Sequence, residues 1–465
     1  MSVVSSWEMR AEFARSLSRM YGAEVPAYLD LVEVAAQVNH DVLARNGADA
    51  ETLGSAGRVA EERHGAIRVG TPAEMRQVAT IFGGFGMHPV GFYDLRDAAA
   101  SAVPVVSTAF RPVDPEELAL NPFRVFTSML VIDDRRFFSP DITARLAEFL
   151  DARVLFTDEL VALGARARSD GCLPRSEADR FIGLATAAFE LSDDPVDRSW
   201  YAELDAISSV AADIGGVSTT HINHLTPRVL DIDDLYQRMA ARGITMIDAI
   251  QGPPRWAGPD VLLRQTSFKA LAEPRRFRAD DGTVHTDSLR VRFGEVEARG
   301  VALTRSGRDL YDTMMAEVDA RCAAQPDAAR PDIAQQVWCE NLPTSYRELA
   351  LRDLAYFTFS VAPEADRREP AGRDLPSLLG AGWLVPHPIV YEDFLPRSAA
   401  GIFQSNLSSQ GRKDTSVAGA DRSIDWMSDI LGVPVADPYR LYAEQRQRSL
   451  DEVSQHLGFT VAAPA

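Results

Sequence analysis

The pattern H-x-x-x-R-V occurs twice in this chain, at residues 64–69 and again at residues 224–229, about 160 residues apart. Each copy lies in a short apolar segment typical of a strand, and an amphipathic helix containing acidic residues follows it. Three identities per copy are a weak signal alone, but repeats at a fixed separation are typical of duplicated structural units. The order of the elements after each copy therefore decides how much weight the repeat carries.

Both copies predict the order strand, helix and three strands, written βαβββ. The first copy contains the strand HGAIRVGT, the helix PAEMRQVATIFGGFG, and the strands HPVGFYDL, VPVVSTAFRPV and FRVFTSMLVI. The second contains the strand HINHLTPRVL, the helix DIDDLYQRMAARGI, and the strands DAIQGPP, DVLLRQTSFKAL and LRVRFGEVEARGVAL, with the turn ADDGT between the last two. We predict an α+β fold in which two βαβββ modules form a central sheet around a cavity.

The segments outside the two modules have the periodicity of helices. We predict an N-terminal helical segment at 1–60, the first module at 61–138, a helical insertion at 139–215, the second module at 216–305, a second helical insertion at 306–380, and a closing segment with C-terminal helices at 381–465. A chain of 465 residues with 46% hydrophobic residues can bury a large core, so the fold does not depend on metals or disulfides for stability.

Composition excludes some classes of function. A formal net charge of -19 argues against binding nucleic acid, which needs a basic surface, but it permits a small anionic substrate held by one or two buried arginines. No apolar run is long enough to span a membrane, and the N-terminus lacks the apolar core of a signal peptide. The three cysteines, Cys172, Cys322 and Cys339, form no CxxC pair, which is typical of a reducing compartment. We predict a cytoplasmic protein.

The repeat also predicts a metal site. If the two copies fold alike and pair, His64 and His224 face each other across the joint cavity, and a carboxylate would complete a ligand set. Glu295 is the candidate carboxylate, because alternation puts it on one strand face with Phe293, Glu297 and Arg299. His221 competes with His224 as a ligand. A hydrogen-bonded core histidine or a surface salt bridge is the ordinary interpretation of each residue taken alone.

The same residues carry a resemblance to known oxygenases. FGEVEARG is similar to the strand of 4-hydroxyphenylpyruvate dioxygenase whose glutamate binds iron, and NHLTPRV is similar to its histidine strand. Over most of its length the chain resembles the 2-oxoadipate dioxygenase/decarboxylase (hydroxyglutarate synthase) family of the vicinal oxygen chelate superfamily. The similar stretches are ERHGAIRVGT, STAFRP, NPFRVFTS, HINHLTPR, LLRQTSFKAL, RGVALT, YEDFLP and AAGIFQSNL, from about residue 60 to 407.

The resemblance implies a ligand set and a reaction. It implies one Fe(II) held by His64, His224 and Glu295, with His221 and Glu297 as the near alternatives. It assigns Arg68 to a substrate carboxylate and the main chain around Ile402 to a segment that closes over the substrate. The implied reaction, in lysine catabolism, converts 2-oxoadipate and O2 to 2-hydroxyglutarate and CO2.

Other polar residues are weaker candidates for substrate binding, and other functions stay open. Gln265, Ser267 and Lys269 alternate along one strand, whereas Gln404 and Ser405 lie in the closing segment. A metal-dependent isomerase or lyase of the glyoxalase kind is one alternative, with Glu297 as its extra acidic ligand. A non-catalytic carboxylate-binding protein is another. The sequence leaves the oligomeric state and the preferred length of the substrate open.

Overall fold

The computed structural model describes residues 2–97, 102–289, 292–363, 367–395, 413–414 and 419–462 of the chain. Its elements follow from local sequence signals that recur along the chain. Helix α4 shows them clearly: Thr71 accepts a bond from the Glu74 backbone, the Glu74 side chain accepts one from the Thr71 backbone, and Pro72 occupies the first turn. The sequence therefore determines where this helix begins as well as that it forms.

The described residues form helices that lie mostly outside the two predicted modules. They are α1 Ser6–Glu24, α2 Ala27–Asn46, α3 Ala56–Glu61, α4 Pro72–Gly84, α5 Pro115–Leu120, α6 Pro140–Ala152, α7 Asp158–Asp170, α8 Arg175–Ala187, α9 Arg198–Asp205, α10 Ser209–Gly215, α11 Ile232–Ala241, α12 Arg305–Ala324, α13 Arg330–Asn341, α14 Tyr346–Leu351, α15 Leu375–Gly380, α16 Ile424–Leu431 and α17 Pro438–Leu457, with a 3-10 helix at Gly47–Glu51. None of the helices in the described part of the chain is long and apolar enough to cross a membrane.

The strands are short. They are β1 Val3–Ser5, β2 Arg63–Val69, β3 His88–Asp94, β4 Val105–Arg111, β5 Arg124–Leu130, β6 Cys172–Pro174, β7 Val196–Asp197, β8 His224–Pro227, β9 Leu263–Ser267, β10 Glu273–Arg278, β11 Val284–Leu289, β12 Glu295–Arg299, β13 Phe357–Val361 and β14 Leu384–Pro388. Helices and strands are both abundant and are not strictly alternating, so the mixed α+β class is confirmed.

The central sheet has the order β3-β4-β5-β2-β8. Strand β2 runs parallel to β5 and antiparallel to β8. Beyond β8, a parallel backbone bridge joins Arg228 to Glu297 of β12, and β12 pairs antiparallel with β9. An antiparallel bridge between Gln251 and Gln265 adds a further segment beside β9. In each half, the first strand therefore lies beside the last one.

The second half departs from its predicted strands at two places. The predicted strand DAIQGPP is not formed as a strand, since only Gln251 makes an isolated bridge, to Gln265. The predicted strand LRVRFGEVEARGVAL is divided, because Leu289 ends β11 and Glu295 begins β12. Strands β10 and β11 form a separate hairpin, and β10 pairs with the short strand β7 instead of joining the central sheet. Strand β11 is exposed along almost its whole length, since its sequence VHTDSL offers no apolar face to bury.

Two apolar cores cover the two faces of the central sheet. Ile67 of β2 and Val125 of β5 belong to one core with the N-terminal helices. Ala66 and Phe126 belong to the other core, which includes residues from the C-terminal third of the chain. Alternation along the strands thus separates the side chains into two sets, and His64 shares the face of Ala66.

The predicted boundary at 380/381 falls between two paired strands. Strand β13 lies in the segment predicted as a helical insertion, and it pairs antiparallel with β14 in the predicted closing segment. The six-part division of the chain stays a prediction, with these two parts joined by a sheet of their own.

Candidate metal centre

The pairing of β2 with β8 brings the two repeated histidines together. Ala66 lies opposite His224, and His64 lies opposite Thr226, so the histidines are diagonal neighbours on one face of the sheet. Their ring centroids are 5.3 Å apart and the rings are nearly perpendicular, at 89°. Both imidazoles are almost fully buried.

Glu295 completes the group from the neighbouring strand β12. One carboxylate oxygen lies 3.2 Å from Nε2 of His64, and the other lies 3.7 Å from Nε2 of His224. One nitrogen from each ring and one oxygen of the carboxylate all lie within 4.8 Å of one another. Among the described residues, His64, His224 and Glu295 are the group of His, Cys, Asp and Glu side chains that could hold a metal ion.

The second nitrogen of each imidazole has its own oxygen neighbour. Nδ1 of His64 lies 2.9 Å from a carboxylate oxygen of Glu297, and Nδ1 of His224 lies 3.0 Å from the hydroxyl of Thr226. A proton placed on Nδ1 would face these oxygens and would leave the lone pair of Nε2 available on the side of Glu295. The two rings are thus oriented as metal ligands usually are.

The surroundings act on the two rings differently. Burial lowers the pKa of His224 to about 4, so this imidazole is neutral near pH 7. Burial also lowers the pKa of His64, but the Glu297 and Glu295 carboxylates outweigh it and raise the pKa above its ordinary value. For Glu297, burial raises the pKa, yet Arg299, His64 and Arg124 outweigh that effect and hold it well below its usual range.

Aromatic rings shield the centre. The edge of Phe394 packs against His64 with centroids 5.0 Å apart, and Phe293 stacks on His224 at 5.3 Å. Both phenylalanines are buried, which keeps water from the outer faces of the imidazoles. Gly294 lies between Phe293 and Glu295, and a Cβ atom there would collide with the ring of Phe268.

Helix α1 holds the backbone near two of these residues. The hydroxyl of Tyr21 donates to the carbonyls of Asn223, at 3.1 Å, and Phe293, at 2.9 Å. Asn223 directly precedes His224, and Phe293 precedes Glu295 by two positions. The N-terminal helix therefore fixes two strands of the site, a role that periodicity alone did not indicate.

Arg68 lies on the same strand face as His64 and is buried beside an acid from helix α10. Its Nη1 donates to the carboxylate of Asp213, which also accepts a hydrogen bond of 3.0 Å from the Asn223 amide. His221 belongs to this second group, since its Nε2 lies 3.4 Å from Asp213. The geometry thus favours His224 over His221 as the metal ligand.

The weaker candidates separate into three groups. The Gln265 amide donates a hydrogen bond to the Glu295 carboxylate. Ser267 of β9 lies directly opposite Glu295 of β12. Gln265 and Ser267 therefore both lie beside the candidate metal site. Lys269 lies beyond the end of β9, half exposed, and pairs with Asp248 at 3.1 Å. Ile402, Gln404 and Ser405 lie outside the described residues.

The sequence pattern missed several residues of this region. Asp213 had one signal, being an isolated acid in the otherwise apolar segment SVAADIGG, all of which is buried. Glu62, Arg124 and Glu392 form a buried cluster of charges behind His64. They lie in the stretches ERHGAIRVGT, NPFRVFTS and YEDFLP that carry the resemblance, but nothing in those stretches indicated that their side chains meet. Charged residues far apart in sequence give no local indication that they meet.

Comparison with known proteins places the chain among enzymes. A sequence model of the 2-oxoadipate dioxygenase/decarboxylase family matches residues 13–406. A Mycobacterium tuberculosis protein named 2-oxoadipate dioxygenase/decarboxylase is 55% identical over 435 residues, which cover 94% of this chain and 95% of that protein. A Pseudomonas putida protein of the same name is 38% identical over 467 residues, covering 98% of each chain.

The fold agrees with the sequence comparison. The crystal structure of the hydroxyglutarate synthase from Pseudomonas putida, in complex with 2-oxoadipate, superposes with a TM-score of 0.83 and 37% identity. The superposition covers 99% of this chain and all of that one, at 100%. The extent of these matches identifies this chain as a member of the 2-oxoadipate dioxygenase/decarboxylase family.

Proposed function

We propose that this protein is a non-haem Fe(II) enzyme that converts 2-oxoadipate and O2 to 2-hydroxyglutarate and CO2. The observation that carries the proposal is the convergence of His64, His224 and Glu295 on one buried centre, in a chain of this family. The names of the relatives and the ligand of the Pseudomonas putida structure supply the substrate class.

The donor set fits a ferrous ion. Two imidazoles and one carboxylate on one side of a metal leave coordination positions open, as in Fe(II) oxygenases. A bound ferrous ion would activate O2 and polarise the 2-oxo acid. A zinc-type isomerase or lyase would use a further acidic ligand, but Glu297 faces Nδ1 of His64, away from the nitrogen that faces Glu295.

The chain's own residues would bind and orient the substrate. Arg68 follows His64 by four residues on β2, so the two side chains lie on the same face of the strand. The Arg68 guanidinium can therefore hold a carboxylate of the substrate on the side of the metal. Gln265 steadies Glu295, and Phe394 and Phe293 exclude water. Ser267, and Ile402 and Gln404 in the closing segment, stay predicted substrate contacts.

The reaction balances without another reductant. Loss of CO2 from 2-oxoadipate removes one carbon and leaves a five-carbon dicarboxylic acid. One oxygen atom of O2 enters the carboxylate formed from the keto carbon, and the other enters the new hydroxyl group. Both electron pairs needed to reduce O2 come from the 2-oxo acid itself.

We further propose that the two halves of the sheet are duplicated βαβββ modules. The equal strand order supports this: β2 lies beside β5, and β8 lies beside β12, parallel in both cases. Three free cysteines support a cytoplasmic location.

Oxygen consumption tests the proposed reaction. Protein loaded anaerobically with Fe(II) and 2-oxoadipate is mixed with O2, and O2, CO2 and 2-hydroxyglutarate are measured. We expect equal amounts of O2 consumed and of each product formed. Binding of 2-oxoadipate without O2 uptake would overturn the proposal and favour a non-catalytic carboxylate-binding protein, whereas an isomerised product would favour the glyoxalase-like alternative.

A further inference from the structure

Glu297 and Arg299 form a buried pair directly behind His64. The two carboxylate oxygens of Glu297 accept hydrogen bonds from Nε and Nη2 of Arg299, at 2.7 and 2.8 Å. This bidentate contact fixes the plane of the carboxylate. One of its oxygens lies 2.9 Å from Nδ1 of His64, so the pair faces the ring nitrogen opposite the one that faces Glu295.

Arg299 is itself held from a distant part of the chain. Its Nη1 donates to the carbonyls of Tyr391, at 2.7 Å, and Asp393, at 3.0 Å. The next residue, Phe394, packs against both the guanidinium, at 5.5 Å, and the His64 ring. The segment at 391–394 therefore touches His64 directly and, through Arg299, holds Glu297.

We propose that Glu297, locked by Arg299, is a positioning residue for His64. The inference rests on the proposed metal site and adds a determinant of its affinity. Glu297 does not bind the metal; it keeps a proton on Nδ1, sets the rotation of the ring, and increases the basicity of Nε2. Replacing such an outer carboxylate typically lowers metal affinity about 10- to 100-fold.

A matched control variant is needed to distinguish a positioning role of Glu297 from a purely structural one, and Glu62 provides the site for it. Glu62 is equally buried and lies 2.6 Å from Arg124, 2.8 Å from Arg228 and 3.5 Å from Nε of Arg299, but it takes no part in the two hydrogen bonds between Arg299 and Glu297. No contact of Glu62 with the His64 imidazole is found among the ion pairs and hydrogen bonds of the described residues. A Glu62→Gln variant therefore disturbs the cluster without removing the partner of Nδ1.

Metal binding by the apoproteins tests the proposal. Wild type, Glu297→Gln and Glu62→Gln are titrated anaerobically with Co(II), followed by its visible absorption and by competition with a chelator, and their melting temperatures are measured. We expect Glu297→Gln to bind Co(II) about 10- to 100-fold more weakly and Glu62→Gln to bind it with the wild-type constant. Equal affinities of Glu297→Gln and wild type, or equal losses in both variants, would overturn the inference.

A second variant, Arg299→Lys, tests the same proposal if the Glu297→Gln protein does not fold. Lysine retains the positive charge but cannot grip a carboxylate through two parallel bonds. We expect a smaller loss of Co(II) affinity than that of Glu297→Gln, with an altered Co(II) spectrum. Wild-type affinity and spectrum in folded Arg299→Lys would overturn the proposal. Absence of Co(II) and Fe(II) binding by the wild-type protein would instead overturn the metal site and the proposed function.

Discussion

Strand β2 and the segment 224–229, which begins with β8, carry the same six-residue pattern but place its two polar residues in unlike surroundings. Because the strands are antiparallel, with Ala66 opposite His224, the histidines meet and the arginines point to opposite ends of the pair. Arg68 reaches Asp213 on helix α10, whereas Arg228 reaches Glu62, just before β2, and the carbonyl of Leu53. Equivalent positions therefore have different roles, set by neighbours outside the repeat.

The histidines differ in the same way. His64 has the anionic Glu297 behind it, and His224 has the neutral hydroxyl of Thr226. One ring is consequently tied to a network of buried charges that extends to the C-terminal third of the chain. The other depends on a single hydroxyl of its own strand, the stacked ring of Phe293 and the backbone support of Tyr21.

The largest effect, loss of metal binding, should follow from removing the histidine of either strand, β2 or β8. His64→Ala and His224→Ala should each abolish binding of Fe(II), and with it O2 consumption, because two remaining ligands hold a divalent ion poorly. His221→Ala, the control, should keep metal binding, since His221 lies beside Asp213. Anaerobic Fe(II) titration measures this. Loss of binding in His221→Ala with retention in His224→Ala would reverse the ligand assignment.

Arg228, which directly follows β8, should matter for the stability of the fold. Arg228→Gln leaves part of the buried Glu62 charge unpaired, and breaking such a pair costs about 3–5 kcal/mol. Urea unfolding measures the loss. The double variant Glu62→Gln/Arg228→Gln should regain part of it, because both charges are then removed. A stable Arg228→Gln protein with weakened substrate binding would contradict the division of roles.

The arginine of β2 should matter for the substrate. Arg68→Gln should raise KM for 2-oxoadipate about 10- to 100-fold, as expected from losing about 1.5–3 kcal/mol of a charged hydrogen bond. Steady-state O2 uptake measures KM, and the Co(II) affinity should not change. Because Asp213 loses its cation, Arg68→Gln/Asp213→Asn is the control: it should regain stability and keep the high KM. A normal KM in either protein would remove Arg68 from the substrate site.

The smallest effect should come from Thr226→Val. Valine has a similar shape and lacks the hydroxyl that faces Nδ1 of His224, a neutral contact of about 0.5–1.5 kcal/mol. We expect Co(II) affinity to fall about 2- to 10-fold, less than in Glu297→Gln. The same absorption titration measures both. A loss as large as that of Glu297→Gln would show that the two histidines depend equally on their outer partners.

The family and the reaction class were predicted from short motifs, and the comparisons confirm them. Strands and helices of the first module were predictable because local periodicity and caps decide them, as at Thr71 and Glu74. The hairpin β10–β11 was not, since a polar strand that pairs away from the main sheet has no apolar alternation to reveal it.

The sequence by itself determined the polar residues of each strand and, through alternation, the face they share: His64 with Arg68, and Glu295 with Glu297. Only the tertiary structure decided which member of each set meets the centre. It placed His224 rather than His221 beside Glu295, put Glu297 behind His64, and separated Arg68 from Arg228. The physical reason is that these outcomes depend on strand register and on buried charges such as Asp213 and Glu62, whose pairs with Arg68 and Arg228 join residues more than 100 positions apart.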